Sequence, residues 1–136
     1  MKVIVETLDD NDGDGIPNEL EEQHAFLDSN ELAAAVLDED SDGLSNLGEF
    51  KMGTILDNPD SDGDTLLDGV ETNTGTWVSE SDRGTDPLSA DTDGDGLADG
   101  VENHDLTYDR QNPETQPGSD PNNANTDGDA ALDGLE

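Results

Sequence analysis

The chain contains no cysteine, so neither a disulfide framework nor a thiolate zinc site can be built from it. Cationic side chains are nearly missing: 4 Lys and Arg stand against 37 Asp and Glu, a formal net charge of −33. Nucleic-acid binding needs a basic footprint, and none is present. Aromatic residues make up 3% and hydrophobic residues 29% of the 136 positions. No apolar run approaches the roughly 18 residues of a membrane-spanning helix, so no membrane insertion is expected. Met1 precedes no long apolar segment, and no secretory leader is read there. A compact domain of this length buries about two-thirds of the surface that its unfolded chain exposes. So few apolar side chains cannot do that against such self-repulsion, and composition by itself points to disorder.

What is present is acid, and the acid is phased. Asp10-Asn11-Asp12-Gly13-Asp14-Gly15-Ile16-Pro17-Asn18-Glu19-Leu20-Glu21 carries acids at positions 1, 3, 5 and 12, Gly at 6 and Asn at 9. The same frame recurs over residues 38–49, 60–71, 91–102 and 125–136, with start-to-start spacings of 28, 22, 31 and 34. These five windows hold 17 of the 25 Asp residues, which a randomly acidic tail would scatter or run in blocks. The chain therefore reads as a repeat array with insertions.

The spacing has a chemical reason. Calcium is a hard cation that takes six to eight oxygen ligands. A 12-residue loop supplies them from side chains 1, 3 and 5, the carbonyl of 7, position 9 directly or through water, and a two-oxygen carboxylate at 12. Carboxylates packed together without a cation repel one another strongly. Gly at position 6 permits the sharp turn that a side chain would hinder.

A second layer repeats around the loops. Position 7 is Ile16, Leu44, Leu66, Leu97 or Ala131, and position 11 is Leu20, Gly48, Val70, Val101 or Leu135. A spacing of four puts these on one face of a helical turn, giving each repeat a miniature core. Gly53, Gly84 and Gly118 each lie seven residues before a window, and Pro59, Pro87 and Pro121 come after them. Gly then Pro marks a helix stop and an extended turn. The unit reads as loop, short helix, Gly stop, Pro turn, next loop.

The run Gly84-Thr85-Asp86-Pro87-Leu88-Ser89-Ala90-Asp91-Thr92-Asp93-Gly94-Asp95-Gly96-Leu97-Ala98-Asp99-Gly100-Val101-Glu102 resembles the prokaryotic form of the thrombospondin type 3 repeat. The resemblance covers residues 38–136 well and the first window more loosely. It implies EF-hand-like calcium loops in a secreted or cell-surface protein, acting as a spacer between neighbouring domains of a larger chain. It implies ligands Asp91, Asp93, Asp95, the carbonyl of Leu97, Asp99 and Glu102 in the fourth loop. The equivalent sets are Asp10, Asp12, Asp14, Ile16, Asn18 and Glu21; Asp38, Asp40, Asp42, Leu44, Asn46 and Glu49; and Asp60, Asp62, Asp64, Leu66, Asp68 and Glu71. The fifth is Asn125, Asp127, Asp129, Ala131, Asp133 and Glu136, for three to five Ca2+ ions in all. Three departures stand out: Thr65 and Ala130 replace Gly at position 6, and Asn125 replaces the first Asp. Those loops are expected to be strained or weaker. Ile55-Leu56 also replaces Asp-Pro ahead of the third window, so the extra cap or ligand offered by Asp86 and Asp120 has no counterpart there.

Residues 1–37 differ from the four repeats of 38–136. Residues 18–27 and 31–37 read as two short helices, the second capped by Asn30. With the first two loops they resemble an EF-hand or dockerin pair, although β-branched Lys2-Val3-Ile4-Val5-Glu6-Thr7 makes a poor entering helix and reads as a short strand or a joint. Position 8, usually a large apolar residue in an EF-hand, is Pro17 or Ser45. Insertions at 72–83 and 103–117 carry Trp77 and Tyr108, either to cover the apolar anchors of their repeats or to contact a protein partner. His24 and His104 stand alone in polar surroundings. No nucleophilic triad or phosphate loop is visible, and paired carboxylates catalyse only where a pocket raises one of them, so no enzyme is expected. The expected fold is mostly irregular with short α-helices, a calcium-stabilised loop–helix array. The expected role is a metal-stiffened spacer or stalk. The alternatives are a dockerin-like docking module and a calcium sensor, though a sensor must expose an apolar groove.

Overall fold

A computed structural model describes residues 9–106 and 118–135. The expected strand at 2–7, Tyr108 and Glu136 lie outside the described residues. Among those described, the chain is mostly turns and irregular backbone, with short helices and no strand longer than an isolated bridge, such as the antiparallel one between Ser79 and Asp82.

All five windows close in one way. The carbonyl just before position 1 accepts the position-9 amide: Asp9 from Asn18, Leu37 from Asn46, Pro59 from Asp68, Ala90 from Asp99 and Ala124 from Asp133, at 2.7–3.1 Å. Beyond this closure, local sequence decides how far a helix runs. In the second repeat an α-helix spans Asn46–Met52, because the Ser45 hydroxyl accepts the Gly48 amide at 3.2 Å and Gly53, at φ +86°, ends it. In the first repeat α1 is only Asn18–Glu21, and Pro17 offers it no side-chain cap. The last three windows form single 3-10 turns at Asp68–Val70, Asp99–Val101 and Asp133–Leu135. There Gly stands at position 10, the side chains of Leu67 and Ala98 provide no cap, and one turn is all the sequence sustains.

Two helix expectations are corrected. Residues 18–27 stop being helical after Glu21, and 31–37 contributes only a 3-10 turn at Ala34–Val36. Asn30 is not its cap: its amide and side chain bond Asp28 instead. Helices this short have no intrinsic stability and form only where packing holds them. The position-11 anchors also fail in part, since Val101 is 41% and Leu135 76% exposed. A 3-10 turn advances three residues per revolution, so a spacing of four no longer lands on one face.

Among the described residues the apolar cluster lies in the first two repeats, and Leu66 of the third is buried apart from it. Ile16, Leu27, Ala34, Ala35 and Leu56 form it, with Leu20, Phe26 and Leu47 packed against them. It draws on both sides of residue 37, tying the first two loops together. The third to fifth repeats have no comparable cluster among the described residues.

The insertion at 72–83 folds back on its neighbours. Asn73 and Gly75 amides bond the carbonyls of Thr85 and Gly84, and the Arg83 amide bonds that of Val70. Arg83 is buried, and its Nη1 donates to the carbonyls of Glu102 (2.9 Å) and Asp99 (3.3 Å). Its Nη2 pairs with Glu80 at 3.1 Å, and Trp77 lies over the guanidinium at 5.0 Å. Trp77 also stacks on His104 at 5.9 Å, so that histidine is not solitary. The tryptophan thus packs on a cation and an imidazole, where an apolar anchor was one of the two expectations.

Candidate metal centres

The first four windows share one hydrogen-bond pattern. Both oxygens of the position-1 Asp accept amides, from positions 4 and 6. Gly13 and Gly15 donate to Asp10 (2.7 and 3.2 Å), Ser41 and Gly43 to Asp38 (2.7 and 3.1 Å), Gly63 and Thr65 to Asp60 (2.7 and 3.0 Å), and Gly94 and Gly96 to Asp91 (2.7 and 3.1 Å). The Oδ1 of position 3 accepts the amide of position 5 at 3.1–3.3 Å. The Oδ1 of position 5 accepts the amide of position 7 at 2.6–2.7 Å. Each Asp is thereby pinned by its own backbone. One oxygen from each of Asp10, Asp12 and Asp14 lies within 4.8 Å of the others, and so do those of Asp38, Asp40 and Asp42, of Asp60, Asp62 and Asp64, and of Asp91, Asp93 and Asp95.

The remaining oxygens test whether a cation fits. The Oδ2 atoms of Asp12, Asp14, Asp40, Asp62 and Asp93 are buried with no hydrogen-bond partner. So are both carboxylate oxygens of Glu21 and Glu49, position 12 of the first two loops, and Oε2 of Glu71. These glutamates are 3%, 0% and 1% exposed. A buried anion with no donor costs several kcal/mol, so native proteins pair such groups with protons, donors or metals. Here the orphaned oxygens belong to the residues the frame assigns to a cation, and oxygen donors in this number suit a hard cation, with both oxygens of the closing glutamate without partners in the first two loops. The electrostatics agree. Burial, then repulsion from neighbouring aspartates, pushes Glu49 up to about 8 and Glu102 up to about 9. Burial pushes Glu71 up to about 8 and Asp93 up to about 7, and raises Glu21, Asp40, Asp42, Asp62, Asp64 and Asp95.

Position 9 does something the frame does not show. The Asp68 carboxylate accepts the amide (2.8 Å) and hydroxyl (2.6 Å) of Ser61 at position 2, and Asp99 accepts those of Thr92 at 2.9 and 2.6 Å. Asp133 accepts the Thr126 amide, and Asn18 and Asn46 accept those of Asn11 and Glu39. The position-2 hydroxyl in turn accepts an amide of the preceding connector: Ile55 to Ser61, Asp86 to Thr92 and Asp120 to Thr126. Asp86 and Asp120 serve as turn caps, each Oδ1 accepting the amide two residues on at 3.1 Å, across Pro87 and Pro121.

Two further sets of residues escaped the sequence reading. Thr85, wholly buried, donates its hydroxyl to Glu71 Oε1 at 3.0 Å, and Ser119 stands in the matching place beside Glu102, where it opposes the rise in pKa. The signal was available: Thr or Ser comes directly after Gly53, Gly84 and Gly118 each time. Gly69, Gly100 and Gly134, all at position 10, touch the preceding loop so closely that a Cβ would lie 2.4, 2.2 and 2.5 Å from the carbonyl oxygens of Asp42, Asp64 and Asp95. The recurring Asp-Gly at positions 9 and 10 of the last three windows is the signal for that contact.

The departures have structural outcomes. Thr65 takes φ +87°, close to Gly15, Gly43 and Gly96 at +98°, +107° and +105°. The third loop therefore keeps its form at the expense of strain. In the fifth loop Ala130 stays out of the left-handed region, and Asn125 turns its Nδ2 to the Asp129 carbonyl at 2.9 Å. That loop lacks the doubly bonded first carboxylate of the other four. No protein-family model, curated protein or solved structure matches this chain.

Proposed function

We propose that this chain is a calcium-binding structural module, a metal-stiffened spacer or stalk segment of a secreted or surface protein. The observation that carries the reading is the set of buried carboxylate oxygens without partners, held in one repeated geometry in successive loops. Its resemblance to the prokaryotic thrombospondin type 3 repeat agrees with that geometry. Calcium offsets the repulsion of clustered carboxylates and substitutes for the apolar cluster that the described residues of the last three repeats lack, as metals do in small domains. Loops of modest affinity suit the millimolar calcium outside cells. The test is the hydrodynamic radius and circular dichroism of the full chain with millimolar calcium and with chelator. A large expansion on chelation is expected; an unchanged radius rejects metal-dependent folding.

A docking role is the second reading. It draws on Leu32, Val36 and Leu37, which are 60%, 71% and 53% exposed around the Ala34–Val36 turn. Replacing all three with Ser abolishes partner capture if that reading holds, and leaves calcium-dependent compaction intact under the first.

A further inference from the structure

The sequence frame gives Asp99 to the centre of its own loop. In the fold, one of its carboxylate oxygens lies within 4.8 Å of oxygens of Asp64 and Glu71, positions 5 and 12 of the preceding loop, and all three residues are buried. Glu71 Oε1 is occupied by Thr85, while Oε2 is buried without a partner. A carboxylate has about four lone-pair sites, so the two bonds that Asp99 accepts from Thr92 leave it able to ligate. The backbone brings it there. The Gly100 amide donates to Asp64 Oδ2 at 2.8 Å, and the Gly134 amide donates to Asp95 Oδ2 at 2.9 Å in the next pair. Gly69 makes the same close approach to Asp42, which places Asp68 beside the second loop, where its charge acts on Asp40, Asp42 and Glu49.

We propose that the position-9 aspartate belongs to the metal centre of the loop before it: Asp68 to the second, Asp99 to the third and Asp133 to the fourth. Each of those centres is completed by its successor. A cation in one loop then pulls the next loop into place, and the second to fourth centres fill cooperatively. The proposal rests on reading the loops as calcium sites, and its test separates the two.

Titrate the 15N-labelled full chain with calcium and monitor the amides of Gly43, Thr65 and Gly96, which donate to the position-1 aspartates of the second, third and fourth loops. Asp99→Asn keeps an acceptor for Thr92 and removes the charge. It should weaken calcium binding about fivefold or more, read at Thr65, while Asp68→Asn does the same at Gly43. Gly100→Ala leaves Asp99 charged but bars the close approach, and should weaken the Thr65 response likewise. Midpoints that shift only at Thr65 for Asp68→Asn and only at Gly96 for Asp99→Asn would overturn this proposal and leave the calcium reading standing. A Gly100→Ala chain whose Thr65 midpoint equals that of the unmodified chain would also overturn it. No calcium response at any of the three amides in the unmodified chain would overturn both.

Discussion

Thr65 offers a substitution that should improve the protein. It is a β-branched residue held at φ +87°, a region that costs an L-residue about 1–2 kcal/mol. Its amide still donates to Asp60 Oδ2 at 3.0 Å, so the loop closes and the strain is retained. Its side chain is exposed, although its Oγ1 lies beside Gly100 of the next repeat. Thr65→Gly releases the strain, and the greater freedom of Gly in the unfolded chain returns about 0.4–1 kcal/mol of that gain. A net of about 0.5–1 kcal/mol remains, and at about 1.4 kcal/mol per tenfold it tightens calcium binding at the third loop about two- to fivefold. The reverse change in the fourth loop, Gly96→Thr, imposes the same strain at φ +105° and should weaken that loop by a similar factor. Calorimetric titration of both variants beside the unmodified chain measures the pair. Thr65→Gly binding no tighter than the unmodified chain, with Gly96→Thr binding no weaker, would refute the claim that position-6 backbone strain sets loop affinity.

Glu102→Gln removes one anionic charge from a side chain only 1% exposed, and should weaken the fourth loop more than tenfold, whereas exposed Glu19→Gln changes nothing; equal titrations of the two would count against the frame. Without calcium, the carboxyls of Glu49 and Glu71 at about 8 and of Glu102 at about 9 sit above the ordinary 4.5, so the fold loses stability as pH rises from there and carries the full penalty above those values. The penalty shrinks as pH falls through 9 and 8 and is gone below about 4.5, so the chelated chain should be more compact at pH 5 than at pH 9.5 by small-angle scattering, with an equal or larger radius at pH 5 opposing the assignment. With calcium present the sign reverses, because protons compete for the same oxygens, and titrations should show affinity falling as pH falls over that range. Arg83→Met deprives the buried Glu102 carbonyl of its Arg83 donor and leaves the Asp99 carbonyl with the Glu102 amide alone, a loss of about 1–3 kcal/mol. It should lower the melting temperature in saturating calcium by several degrees and shift the emission of Trp77, the sole tryptophan; an unchanged melting curve would show that the clamp adds no stability.

The loops were legible because their geometry is local. Asp at 1, 3 and 5 bonds amides two to five residues away, so spacing alone implies the inward turn of each carboxylate. The mostly irregular backbone with short helices was legible from the same source, through Gly, Pro and sparse apolar positions. Helix lengths were not, because nothing in residues 22–37 reveals that Asn30 bonds Asp28 instead of capping a helix. The contacts between repeats were hidden for a different reason. Arg83 meets carbonyls 16 and 19 residues away, and any residue type offers a carbonyl. Gly100 meets Asp64 at a separation of 36, through an amide whose only trace in the sequence is the absence of a side chain.

The tie between the residue before position 1 and the amide of position 9 has a mechanical consequence. It bridges the two ends of a nine-residue excursion at 2.7–3.1 Å in all five windows. A pull along the chain is therefore borne first across the tie, and the clustered carboxylates within the loop feel little of it. When a tie yields, the slack it guarded is released, roughly 30 Å of extended chain at about 3.3–3.6 Å per residue. On the proposed reading, a segment made this way is expected to lengthen in steps under load, one loop at a time, and to shorten again as calcium gathers each loop. Such a segment would act as a series of resettable shock absorbers, with the trigger force set by these local backbone hydrogen bonds.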